Sequence, residues 1–145
     1  MEYLFKKLAV ITSATLVFVV WAATPVLADE SETTQAVLNH HLESFGTANM
    51  QEFLSDYTDT SVIMVPSATF VGPAAFEPVA QGLFDEFSQE GTTFTMIDMQ
   101  VNGHVAYIVW SAETPDNVYE LATDTFVIED GKIAYQTFAA KVTPK

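Results

Sequence analysis

The sequence predicts one α+β domain in which three N-terminal helices pack on a curved, mainly antiparallel sheet. Two observations carry this. Apolar side chains recur at helical steps within residues 31–48 and 76–87, whereas residues 92–142 read as extended segments separated by Asn102-Gly103, Thr114-Pro115-Asp116-Asn117 and Asp130-Gly131. Helices first and a run of strands afterwards place the helices together on one side of the sheet.

Ahead of the domain, Lys6 and Lys7 precede an apolar run from Leu8 to Ala23, then Thr24-Pro25-Val26-Leu27-Ala28 and the acidic Asp29-Glu30. This order of charged, apolar and small residues is that of a secretory signal peptide, with Val26 and Ala28 at positions three and one before the cut. The run is shorter than the roughly 20 residues that span a bilayer. Residues 1–28 are expected to be removed after Ala28, leaving residues 29–145 as a periplasmic or secreted domain. No cysteine follows to carry a lipid, so no membrane attachment is expected after cleavage.

Within Ser31 to Ala48, Val37, Leu38, Leu42, Phe45 and Ala48 trace one helical face, and Gly46 marks its fraying end. Asn49 with Glu52 has capping-box spacing and opens a short second helix carrying Phe53, Leu54 and Tyr57. Ser61 to Val65 is β-branched and runs into Pro66, with Thr69-Phe70-Val71 returning beside it. Phe76, Val79, Ala80, Leu83, Phe84 and Phe87 then form the most periodic helix, with Pro78 near its first turn or at a kink. Four strands follow, Thr92 to Val101, Val105 to Glu113, Val118 to Ile128 and Ile133 to Val142. Asn-Gly and Asp-Gly favour tight hairpins, so these strands are expected to form an antiparallel meander.

The chain has 19 acidic residues against five lysines and no arginine, a formal charge of −14. Such a surface repels polyanions and lacks the planar fork that grips phosphate, which excludes nucleic acid as a partner. The absence of cysteine excludes disulfides, thiolate metal sites and cysteine nucleophiles. Stability must therefore come from a core to which nine phenylalanines can contribute, the other two of the eleven, Phe5 and Phe18, lying in the leader.

This order of elements, together with His40-His41-Leu42, Asp56-Tyr57-Thr58-Asp59, Phe70-Val71-Gly72-Pro73, Ala122-Thr123-Asp124-Thr125-Phe126 and Asp130-Gly131-Lys132-Ile133, resembles the SnoaL-like branch of the nuclear transport factor 2-like (NTF2-like) superfamily. The resemblance covers nearly all of residues 29–145. It implies a cone-shaped fold with a pocket between sheet and helices, often assembled as a homodimer. Its members include polyketide cyclases, ketosteroid isomerases, dehydratases and domains without a known reaction, so the fold leaves function to the site.

Two side chains are the candidate catalytic groups. His41 lies inside the apolar stripe of the first helix, four residues after Val37 and four before Phe45, and an imidazole there can act as acid or base near neutrality. The same histidine can instead close the core, hydrogen-bonded to a strand. Asp124 alternates with Ala122 and Phe126, which aims its carboxyl at apolar surroundings that raise its pKa. A carboxyl kept protonated in this way donates to a developing oxyanion in ketosteroid isomerase, and cyclases resembling this chain use an aspartate as acid or base. The alternative is an Asp124 satisfied by backbone or by Thr137, which a two-residue Asp130-Gly131 turn places opposite it.

Tyr57, Trp110 and Thr137 are the candidate ligand-binding residues. Trp110 shares a face with Asp124 if the second and third strands of the meander are joined by three residues, and faces away if they are joined by four. Asp98 is a reserve carboxylate expected in solvent. The isomerase pattern has a tyrosine where this chain has His41, so steroid isomerisation is not implied. His40 and His41 diverge by about 100° on a helix and His104 lies beside a turn, so no metal site is expected. No cofactor is expected either, since there is no P-loop or dinucleotide fingerprint. The domain is therefore read as binding a small apolar molecule. As an enzyme it would run cofactor-free proton transfer on a carbonyl compound, by isomerisation, cyclisation or dehydration. The alternative is a non-catalytic ligand-binding or dimerisation module.

Overall fold

The computed structural model describes residues 24–145, with side chains from residue 29 onward. The charged start and apolar run of the expected signal segment lie outside the described residues. Among those described, no helix is long and apolar enough to cross a membrane.

Helix α1 (Thr24–Gly46) starts upstream of the expected Ser31, and α2 (Met50–Ser55) follows a tight bend. The Asn49 side chain caps α2 by accepting the Glu52 N–H at 3.3 Å. The remaining elements are β1 (Tyr57–Val65), β2 (Ala68–Val71), α3 (Pro73–Phe87), β3 (Thr93–Asn102), β4 (Val105–Glu113), β5 (Asn117–Glu129) and β6 (Lys132–Pro144). They form one six-stranded sheet in the order β2-β1-β6-β5-β4-β3, antiparallel except where β1 runs beside β6. The predicted meander of the last four strands is present.

Tyr57 is not on the second helix. Asp56 closes α2, its carbonyl accepts the Ile133 N–H at 2.8 Å, and Tyr57 pairs with Ile133. Pairing with β6 thus overrides the helical spacing from Phe53. Pro78 stands in the second turn of α3, past the expected first turn, where its ring nitrogen offers no hydrogen to the Ala74 carbonyl.

Curvature comes from irregular register. Residues 58–61 loop out of β1, held by Ser61 Oγ, which accepts the Thr58 N–H at 2.8 Å and donates to the Ile133 carbonyl at 2.6 Å. Surplus residues also interrupt β3, β5 and β6, and each bends its strand and strengthens the local twist. Gly72 joins β2 to α3 at φ +77, where a Cβ would stand 3.0 Å from the Asp59 carbonyl oxygen. Asp130 and Gly131 both have positive φ, the geometry of a type I′ hairpin between Glu129 and Lys132. By contrast the Asn102-Gly103 signal is displaced by one residue: Asn102 pairs with Val105, so Gly103 and His104 make the turn.

The core lies between the helices and the concave face of the sheet. Leu38, Ile63, Ile108, Phe126 and Ile133 are almost fully buried. Phe53 joins the layers, with ring centroids 4.2 Å from His41 and 5.1 Å from Phe84. Glu86, near the end of α3, accepts from Thr114 Oγ1 and Asn117 Nδ2 at 2.8 Å and from the Tyr119 hydroxyl at 2.9 Å. These bonds pin the β4–β5 loop to the helix.

Candidate functional site

The concave face encloses a cavity of about 670 Å³, within the range of small-molecule sites. Its walls are apolar, with Phe45, Phe76, Leu83, Met96, Ile108 and Phe126 among them, and it reaches solvent past Pro66, Ser67, Ser88 and Phe94. His41, Trp110, Asp124 and Gln136 gather as polar groups in this lining. A separate hollow of about 310 Å³ beside Ala48, Gln81 and Gln89 contains none of them.

Asp124 is 7% exposed and receives two bonds, from Trp110 Nε1–H to Oδ2 at 2.9 Å and from Gln136 Nε2–H to Oδ1 at 3.0 Å. Burial raises its pKa. These two bonds and the nearby His41 charge oppose that shift without cancelling it.

The meeting of Trp110 with Asp124 depends on a bulge. Glu113 pairs with Val118, so the loop has four residues, the length expected to turn Trp110 away. Yet Trp110 pairs with Ala122 and Ile108 with Asp124, because β5 carries one surplus residue between Tyr119 and Ala122. A second bulge displaces Thr137. Ile128 pairs with Ile133 but Val127 pairs with Tyr135, so Ala134 is surplus in β6 and the register moves on by one. Phe138 therefore stands opposite Asp124, while Thr137 pairs with Thr125 and is exposed. Thr137 is replaced by Gln136, which the same slip turns inward and which strict alternation from Ile133 places outward.

His41 is 3% exposed, and each ring nitrogen has a neighbour: Nδ1 lies 3.1 Å from Asp56 Oδ2 and Nε2 lies 3.4 Å from the Tyr57 oxygen. The Tyr57 hydroxyl donates to Gln136 Oε1. Tyr57 is thus one layer behind the cavity wall, bonded to two groups that line it. Burial pushes its pKa well above the usual phenol value, and the negative charges of Asp124 and Asp56 add to this.

Asp56 went unrecognised in the sequence. Successive positions on α1 diverge, but Asp56 sits between the two rings, taking His41 on Oδ2 and His40 Nδ1 on Oδ1 at 2.7 Å. His40 also lies 3.3 Å from Glu52, and its pKa is raised, first by the Asp56 bond and then by the Asp56 charge. One signal was present: an acid closing a helix opposes the negative end of the macrodipole, a placement that calls for a specific partner. Asp98 is exposed, bonded to Gln100, and His104 is exposed on the β3–β4 turn. Among the described residues no cluster of three or more metal-ligating side chains occurs. Thr92 Oγ1, on the cavity lining, is buried without a hydrogen-bond partner among the described residues.

Three helices on a six-stranded curved sheet, with a cavity between the layers, define an NTF2-like protein. More narrowly, the chain belongs to the SnoaL-like domain family, which it matches over residues 38–136. Among solved structures it is similar to an NTF2-like protein of unknown function from Mesorhizobium loti, 22% identical with a TM-score of 0.65, covering 78% of this chain and 94% of that one. It is also similar to the epoxide hydrolase/cyclase-like enzyme SalBIII of pyran ring formation in salinomycin, 12% identical with a TM-score of 0.66, covering 79% and 97%. A candidate ketosteroid isomerase from Kribbella flavida is 16% identical with a TM-score of 0.64, covering 77% and 80%. These likenesses establish the fold and leave the reaction to the site. Comparison with curated proteins gives no match.

Proposed function

We propose that this domain binds a small, largely apolar carbonyl compound in its cone and moves a proton on it without a cofactor, as in isomerisation, cyclisation or dehydration. The observation that carries this reading is that His41 and Asp124 line one solvent-reachable cavity whose other walls are mostly apolar. Asp124, held where burial favours its protonated form, meets the ligand as acid or as hydrogen-bond donor to a developing oxyanion. His41 supplies a second proton-carrying group on the same cavity wall.

A non-catalytic binding module is the second reading, favoured by the neighbours already present at both nitrogens of His41. Native mass spectrometry of protein taken from its own compartment, followed by Asp124→Asn and His41→Ala, separates the two. A retained ligand lost in both variants supports the site. Retention unchanged in both removes these residues from it, and a ligand recovered chemically unaltered by native protein and variants alike favours the binding module.

The export signal read from Lys6 to Ala28 sets the compartment in this proposal, and a mature N-terminus other than Asp29 would overturn that cleavage. A homodimer through the outer sheet face is part of the same reading, supported by exposed Leu121 on β5 and Tyr135 on β6. Sedimentation of native protein as a monomer would refute it.

A further inference from the structure

We infer that His41 and Asp124 hold one proton between them through Gln136 and Tyr57, with the Gln136 amide turning over when the proton changes ends. Its functional meaning rests on the proton-moving role proposed for this pair. Its test does not.

The chain runs from Asp124 Oδ1 to Gln136, to the Tyr57 hydroxyl, to His41 Nε2, and from His41 Nδ1 to Asp56. The two middle links cannot match every charge state of the two ends. A primary amide donates from one atom and accepts at the other, and a phenol has one hydrogen. Burial keeps that hydrogen on Tyr57.

With Asp124 ionised, Gln136 N–H donates to it, Tyr57 O–H donates to Gln136 Oε1, and the Tyr57 oxygen accepts from His41 Nε2–H. His41 Nδ1–H faces Asp56, so the ring carries both hydrogens. With Asp124 protonated the three bonds between Asp124 and His41 Nε2 reverse. Its O–H donates to Gln136 Oε1, the turned amide donates to Tyr57, Tyr57 donates to an unprotonated Nε2, and Nδ1–H still faces Asp56. Both arrangements satisfy every member of the chain. Protonating both ends instead leaves the Tyr57 hydrogen without an acceptor, and stripping both leaves an acceptor empty, each costly in a buried network.

The surroundings add no competing charge from the sheet or from α3. His41 faces Asp56 at the end of α2 and Tyr57 on β1, and Asp56 is shared with His40, which faces Glu52. Asp124 faces the uncharged Trp110 on β4 and Gln136 on β6. The residues α3 adds to the cavity, Phe76, Val79, Leu83 and Phe87, are apolar. Gln136 is thereby a positioning residue. It transmits orientation, not a proton, and each end exchanges its own proton with the cavity that both line.

The test is NMR titration of the unliganded protein, following the His41 ring nitrogens and the Asp124 carboxyl carbon from about pH 3 to pH 10, with Gln136→Leu and Tyr57→Phe beside the native chain. Both native nuclei are expected to show the same two midpoints, the signature of a coupled pair. Each variant breaks the chain at a different link and is expected to lose the second inflection from both curves. Should Gln136→Leu fail to fold, Tyr57→Phe, which removes one oxygen, decides. Single unrelated midpoints in the native protein, or two-step curves surviving in a folded variant, overturn the inference. Coupled titration without any retained ligand would spare the shared proton and sink the proposed function. Retained ligand with independent titration would do the reverse.

Discussion

Asp124→Asn tests the electrostatics of the site through stability alone. Burial raises the Asp124 pKa above its unfolded value of about 3.9, so above that pH the folded state keeps a proton that the unfolded chain has released. The stability this group contributes is complete below about pH 3.9 and is lost as pH rises through the folded pKa, at up to about 1.4 kcal/mol per pH unit for one proton. The amide of the variant cannot ionise, so the unfolding free energy of the native protein minus that of the variant should fall with rising pH across this window and then level off. A pH-independent offset lies beneath the slope. Trp110 Nε1–H can only donate, so the oxygen of the introduced amide must face it and the new N–H₂ must face Gln136. Gln136 has to turn its oxygen inward to match, and failure to do so orphans a buried donor at a cost of about 1–3 kcal/mol. Urea unfolding at half-unit steps from about pH 4 to pH 8 measures both parts. A difference that stays flat, or grows with pH, would refute the raised pKa and the burial behind it.

Phe53→Ala should cost about 3–5 kcal/mol, since the ring is buried between His41 and Phe84, and a loss below about 1 kcal/mol by urea unfolding would show that it does not join the layers. Thr92→Val removes a buried hydroxyl with no partner among the described residues and should stabilise the protein by about 1 kcal/mol in thermal melts. A destabilised variant would mean the hydroxyl is satisfied. Gly72→Ala should cost about 1–3 kcal/mol, because φ is +77 and the added carbon meets the Asp59 carbonyl at 3.0 Å. An unchanged melting temperature would place that turn elsewhere.

Most of the fold is legible in the sequence because its signals are local. The apolar stripe through Leu38 and Phe45, the Asn49 cap and the Asp130-Gly131 hairpin each act within a few residues, and each is found where expected. The site is legible only in part. His41 and Asp124 could be aimed inward because each sits in an unbroken stretch of its period. Trp110, Thr137 and Gln136 lie across bulges, and a single surplus residue reverses the face of everything beyond it. Nothing in Glu120-Leu121 or Ala134 announces such a slip. Tyr57 and Asp56 were obscured for another reason, since the boundary between α2 and β1 is drawn by a partner strand more than seventy residues away.

The bulge in β5 also says something about how the chain tolerates changes in length. Both flanking strands register the same extra residue between Tyr119 and Ala122, so the sheet absorbs it without moving Asp124 from beside Ile108. Shortening the chain by one at Leu121 would straighten β5 and leave every later pairing intact. A deletion between Ala122 and Asp124 would turn the carboxyl out of the cavity. The domain thus contains a spot where a one-residue deletion is nearly silent, two residues from one where it abolishes the site.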